Sequence, residues 1–130
     1  MRSLYLITSS FLLVLFFTCQ TTGEYLALPD ADNLHDYVDK KVCLQGRVSQ
    51  TPWQHMIASL EGYPYDEYFD VGDYQIVIYL KSRIDCPGPV RVYGRVVMVE
   101  GAGKRPQPGD EPYREYHLAV DTWECPAKIK

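Results

Sequence analysis

The sequence predicts an all-β domain curled into a small barrel, and three observations carry that prediction. One pattern occurs twice, as Val42-Cys43-Leu44-Gln45-Gly46-Arg47-Val48 and as Val90-Arg91-Val92-Tyr93-Gly94-Arg95-Val96. In each copy, apolar residues at every second position give a strand one buried face, and a mid-strand Gly allows a sharp bend or a close backbone approach. Residues 74–80 and 114–123 are two further stretches of strand character. Finally, residues 81–89 hold a Cys-Pro-Gly-Pro turn in place of any long helix.

Taken in order, residues 1–19 read as an export signal. Arg2 precedes a short apolar region that ends in the dense run 11–17 and gives way to small polar residues. The run is too short for a membrane-spanning helix. Its end, Leu15-Phe16-Phe17-Thr18-Cys19-Gln20, resembles a bacterial lipoprotein box, although Phe16 and Thr18 stand where that pattern prefers Leu and Gly, Ala or Ser. The resemblance implies a lipid on Cys19, which would hold the chain to a membrane. With Gln20 next rather than Asp, it also implies the outer membrane of a Gram-negative cell. Cleavage after Thr21-Thr22-Gly23 is the alternative, and would give a periplasmic or secreted protein.

Residues 20–29 form a tether, and residues 30–130 a single domain. Residues 30–38 suggest a short helix capped by Asp30 or Asp32, with Leu34, Tyr37 and Val38 on one face, plugging a barrel end. Strands are expected at 42–49, 55–60, 74–80, 90–100 and 114–123. Between the second and third lies an acidic, tyrosine-rich stretch, 61–73, that reads as a long loop. Residues 101–109 are a loop by composition.

Five strands with matching glycines in the first and fourth, and long loops after the second and fourth, resemble the OB-fold, a five-stranded Greek-key barrel. The resemblance spans residues 32–125, and is similar in particular to small OB-fold modules of exported bacterial proteins and lipoproteins. In that topology the fourth strand runs antiparallel to the first and the fifth. Cys86, just before the fourth strand, then meets Cys125, just after the fifth, and a disulfide between them follows. Cys43, at the far end of the barrel and on the order of 30 Å away, is left as a half-buried free thiol. Gly46 and Gly94 become the bends of the two closing strands. Arg47 and Arg95 lie on their outer face, away from the usual ligand surface.

The chain carries 11 Tyr and a formal net charge of −4, which becomes −5 when Arg2 is removed. Such a balance excludes a polyanion-binding surface of the usual kind, so nucleic acid is not expected as a partner. Catalysis also finds little support. Ser49, Ser59 and Ser82 lack a nucleophile elbow, and residues 101–104 lack the spacing of a phosphate loop. Asp66, Glu67 and Asp70 fit an exposed acidic loop. An unrecognised hydrolase stands as the remaining catalytic alternative.

His55, Met56 and Met98 are soft donors of the type that bind copper(I), and with Trp53 they resemble, in residue types only, a periplasmic copper-carrying OB-fold. Core filling is the simpler reading of both methionines. His35, His55 and His117 lie in separate elements; a zinc site would need them to converge with a carboxylate or thiolate. No cofactor is expected.

The OB-fold resemblance implies a ligand surface across the second and third strands. There the sequence places Trp53, His55, Tyr79, Lys104, Arg105 and Tyr113, aromatics beside two cations. The expected protein is thus a non-catalytic binding or assembly module of the bacterial envelope, with an envelope protein or glycan as its partner.

Overall fold

The computed structural model describes residues 19–102, 105 and 107–126. The expected export signal therefore lies outside the described residues apart from Cys19, and so does Lys104.

Among the described residues there are six strands: β1 (Leu26–Ala27), β2 (Lys41–Val48), β3 (Tyr65–Val71), β4 (Tyr74–Leu80), β5 (Val90–Gly101) and β6 (Tyr113–Glu124). Five of them close a barrel in the order β2-β3-β4-β6-β5 and back to β2. Every neighbouring pair is antiparallel except β4 with β6, which is parallel. Side-chain alternation fills the interior. Val42 and Leu44 from β2, Ile76, Ile78 and Leu80 from β4, Val90, Val92 and Val96 from β5, and Leu118 and Val120 from β6 form one buried cluster.

The two glycines of the repeated pattern sit where the barrel must close. A Cβ on Gly46 would collide with the carbonyl oxygen of Asp70, and one on Gly94 with that of Ala119. Both therefore permit close backbone approach. Opposite Tyr93/Gly94 the register shifts by one residue of β6, since Tyr93 pairs with Thr122 and Gly94 with Val120, and this bulge adds a local bend to β6. Arg47 and Arg95 are exposed, as expected.

Three expectations need correction. The short helix over 30–38 is a single 3-10 turn, Leu34–Tyr37, with no side-chain cap on Asn33. The chain leaves it through Asp39 at φ 66°, a left-handed conformation that a continuing helix would not contain. Its packing role stands, because Ala31 and Leu34 join the barrel core.

The second expected strand, 55–60, is not a strand, and the acidic stretch read as a loop supplies β3. Within β3 the polar Glu67 is the cross-strand partner of core residue Ile78 and pairs with Arg83 at 3.4 Å. Tyr68, on the opposite face, is itself half-buried. The period-2 signal is lost on both faces.

The third correction concerns the cysteines. The Cys86–Cys125 bridge forms, with its Cα atoms 5.8 Å apart. Cys43 is not a free thiol; it is bonded to Cys19, also at a Cα separation of 5.8 Å. The cause is the supposed tether. β1 pairs in parallel with the start of β2, Leu26 opposite Val42 and Ala27 opposite Cys43. Tyr25 stacks edge-on against Tyr93 and donates to Asp121 at 3.0 Å. Burial and that carboxylate push the Tyr25 phenol up to about 12. Residues 26–27 are thereby fixed to the start of β2, the preceding segment folds back so that Thr21 Oγ1 accepts from the Ala27 N–H at 3.1 Å, and Cys19 comes to the sulfur it bonds. A lipid thioether on Cys19 would need that same sulfur.

Two outcomes follow from this arrangement. Thiol titration of the exported, unreduced protein in denaturant should find no free thiol; lipid on Cys19, or cleavage after residue 23, would leave one, at Cys43. Gly94→Ala should lower unfolding stability by about 2–4 kcal/mol in denaturant titrations, and breaking the Cys86–Cys125 bridge by about 3–4 kcal/mol.

Candidate side-chain cluster and strap

Residues 50–63 do not loop into solvent. They cross the outer face of the barrel as an extended strap. Even-numbered residues of β4 face the core, so Val77 and Tyr79 face outward. They form a second apolar cluster with Val99, against which Met56, Ala58, Leu60, Tyr63, Tyr68 and Val97 pack. Met56, Ala58 and Leu60 alternate with the more exposed Ile57 and Ser59. The alternation in the sequence is real; its cause is one-sided burial without a ladder. Met56 also fills the space over Gly101, where its Cε would meet a Cβ.

The strap is held by side chains. The backbone N–H of Trp53 donates to Gln75 Oε1 at 2.9 Å, that of Met56 to Glu115 Oε2, and that of Ala58 to the Tyr79 hydroxyl at 3.0 Å. Among the described residues, no backbone–backbone hydrogen bond joins residues 50–59 to the barrel.

At the centre of this contact lies a cluster of His55, Glu115 and His117. Glu115 and His117 are two apart on β6, so both project from its outward face. His55 Nδ1 lies 3.1 Å from Glu115 Oε1 and its Nε2 3.2 Å from Gln75 Oε1. The Gln75 amide is oriented by its other end, since Nε2, with two N–H groups, lies 2.8–3.0 Å from the acceptors Ser49 Oγ, Thr51 O and Asp70 Oδ1. His117 is almost fully buried. Its Nδ1 accepts from the Val77 backbone N–H at 3.0 Å, and its Nε2 lies 3.3 Å from Glu115 Oε2. A small cleft of about 190 Å³ opens beside the cluster, lined in addition by Asp32, His35 and Tyr74.

Protons can be placed from these partners. Val77 N–H is a donor, so His117 Nδ1 is bare and the neutral ring carries its proton on Nε2, directed at Glu115. Burial holds the His117 ring below its ordinary value, only partly offset by the Glu115 carboxylate. For Glu115, burial pushes the carboxyl up. The donors from Met56, His55 and His117 outweigh that effect and leave it below the usual carboxylate range.

Two histidines and a carboxylate, with their ligand atoms all within 4.8 Å of one another, match the donor set of a zinc site. The proton placement works against it. Coordination through His117 Nε2 would move the proton to Nδ1, where it would confront the Val77 N–H. Metal-bound histidines instead offer their second N–H to an acceptor. With its three donors, Glu115 is satisfied by protein alone.

The structure sorts the sequence-predicted residues. Trp53 is 70% and Tyr113 56% exposed, and Arg105 is exposed. Tyr79 is buried beneath the strap and cannot stack on a ligand while the strap is seated, a correction. His55 is engaged by the cluster. The copper trio does not assemble: the Met56 side chain packs from the strap onto the outer face of the barrel, whereas Met98 stands opposite Tyr116, on the face of β5 away from Val97 and Val99. His35 lines the cleft but lies against Tyr116 and Asp36. Residues 66, 67 and 70, expected in a loop, belong to β3. Gln75 and Glu115 join the site without any motif of their own; the Glu-x-His spacing on a predicted strand, which puts both side chains on one face, is the one sequence signal for Glu115.

Comparison with known protein families, characterised proteins and solved structures returns no match.

Acid should loosen this cluster in two steps. The folded-state value of His117 lies below its ordinary 6.5, so its contribution is complete above pH 6.5 and is lost as pH falls through the folded value. Glu115 behaves alike further down: its contribution is complete above 4.5 and lost through its own lowered value. Denaturant titrations from pH 8 to 3 should show both losses, and His117→Asn should remove the upper one. Glu115→Ala, which strands buried donors, should cost about 2–4 kcal/mol. Stoichiometric Zn²⁺ should leave the melting temperature unchanged; a rise of several degrees would contradict the proton placement.

Proposed function

We propose that this chain is an exported, non-catalytic binding module with an OB-fold, working in the oxidising space of a bacterial envelope. Its recognition surface is the outward side of β3 and β4 together with the strap that lies on them. The OB-fold part of this reading is supported by β5 running antiparallel to both β2 and β6, with the remaining strands ordered as that topology requires. Export is supported by the apolar N-terminal segment and by two disulfides in a small domain. With Cys19 bonded to Cys43, this reading carries no lipid anchor.

One observation carries the binding reading. Trp53 is 70% exposed, yet its backbone N–H is fixed to Gln75, and Gln75 is itself held by three acceptors. A large aromatic presented to solvent from a positioned backbone has the character of an interface hot spot. Ile57, 47% exposed on the same strap, extends the apolar surface. The non-catalytic part is supported at His55, whose Nε2 faces an amide oxygen where a nucleophile would stand.

The partner is an envelope protein. Immobilised full chain should retain a defined protein from envelope extracts, and Trp53→Ala should release it while shifting unfolding stability by less than about 0.5 kcal/mol. Retention of the same protein by Trp53→Ala would overturn the assignment of this surface. Capture of glycan alone, lost in the same variant, would replace a protein partner with a saccharide one.

A further inference from the structure

We infer that the barrel face beneath the strap is a receptor for an extended peptide, and that residues 53–60 are its built-in competitor. The inference rests on the recognition surface proposed above and names what that surface takes.

The strap is bound as a ligand would be. Among the described residues, the N–H groups of Trp53, Met56 and Ala58 are fixed to the barrel by side-chain acceptors, Gln75, Glu115 and Tyr79. None of these three bonds belongs to a ladder of the sheet. Hydrogen bonds of this kind and partial apolar burial mark a segment that opens locally, well below the free energy of global unfolding. Its departure would uncover Val77, Tyr79, Val97 and Val99 as one apolar patch, beside acceptors that are built in and oriented.

The receptor also states what fits it. Glu115 Oε1 and Gln75 Oε1 form a two-sided acceptor slot that takes the His55 ring. The next position is a groove over Gly101, shaped for the long unbranched side chain of Met56. Ala58 follows, its N–H on the Tyr79 hydroxyl. An incoming peptide must therefore be extended, carry an imidazole or another side chain with N–H donors, and follow it with Met or a similar long apolar residue. A peptide without the first group would leave Glu115 buried with a donor missing.

The test uses the full chain and a fluorescein-labelled synthetic peptide with the sequence of residues 50–61. His55→Ala/Met56→Ala, which weakens the internal strap, should bind that peptide at least tenfold more tightly than the wild-type chain by fluorescence anisotropy. Adding Glu115→Gln should reverse at least tenfold of the gain, and a peptide with its own His and Met changed to Ala should not bind. A folded double variant that binds no better than the wild type overturns the inference. If the double variant does not fold, amide exchange of the wild type decides. Met56 and Ala58 should exchange at least 100-fold faster than Ile78 and Val92, and equal protection overturns the inference. Failure here with Trp53→Ala still releasing the envelope protein removes only the peptide receptor; success here with that partner retained by Trp53→Ala removes only the role of the outer strap surface.

Discussion

The barrel exists because β5 is shared. It pairs with β2 over six residues on one side and with β6 over nearly its whole length on the other, so a single strand must belong to both halves of a strongly curved sheet. Curvature of this kind forces backbones together at the bends, and the chain meets the demand at Gly94 and Gly46, where any side chain would strike a carbonyl oxygen. The remaining architecture follows. With β5 fixed between β2 and β6, the parallel contact of β4 and β6 completes the cylinder. The opening left along the first half of β2 is taken by β1 and the segment that carries Cys19.

Where β4 and β6 separate, a backbone donor is left over, and the buried histidine answers it. Val77 N–H has no strand partner on that side and is received by His117. His117 then presents its own proton to Glu115, and Glu115 gathers the strap through Met56 and His55. The polar cluster is thus a chain of satisfactions that begins at a gap in the sheet and ends in the cover laid over it. A buried carboxylate is costly in isolation. Here the number of its donors reverses the direction in which burial alone would move it.

Legibility of the fold tracked how simply each segment is buried. β4 and β5 were readable to within a residue, because each alternates a core face against another face without interruption. Cys86 and Cys125 were placed by the hairpin that joins their strands. β3 was hidden by Glu67 and Tyr68, which reverse the expected polarity of both faces: one pairs with Arg83 and the other is half-covered by the strap. The strap carries the sequence signature of a strand because burial on one side produces period 2 whether or not a ladder exists. Cys19 could not be paired from its sequence position, since the geometry that delivers it is a two-residue parallel strand with no pattern of its own. Of the candidate cluster, His55 and His117 were visible as residue types. Their convergence was not visible, because it depends on the strap folding back across β4 and β6.

A small barrel has one interior, yet this one carries a second apolar cluster on its outside, and the two facts constrain each other. Left bare, Val77, Tyr79, Val97 and Val99 would form an exposed patch of the sort that drives association, and Glu115 would lose the Met56 and His55 donors that keep it satisfied. The strap resolves both at once with a segment that adds nothing to the sheet. Because that segment contributes only what a separate peptide could also contribute, the face is conditioned to accept substitutes of one narrow chemistry. Apolar contact alone is insufficient, since a substitute lacking the N–H groups would bury Glu115 against too few donors. That penalty, rather than the attraction of the patch, sets the selectivity of the face.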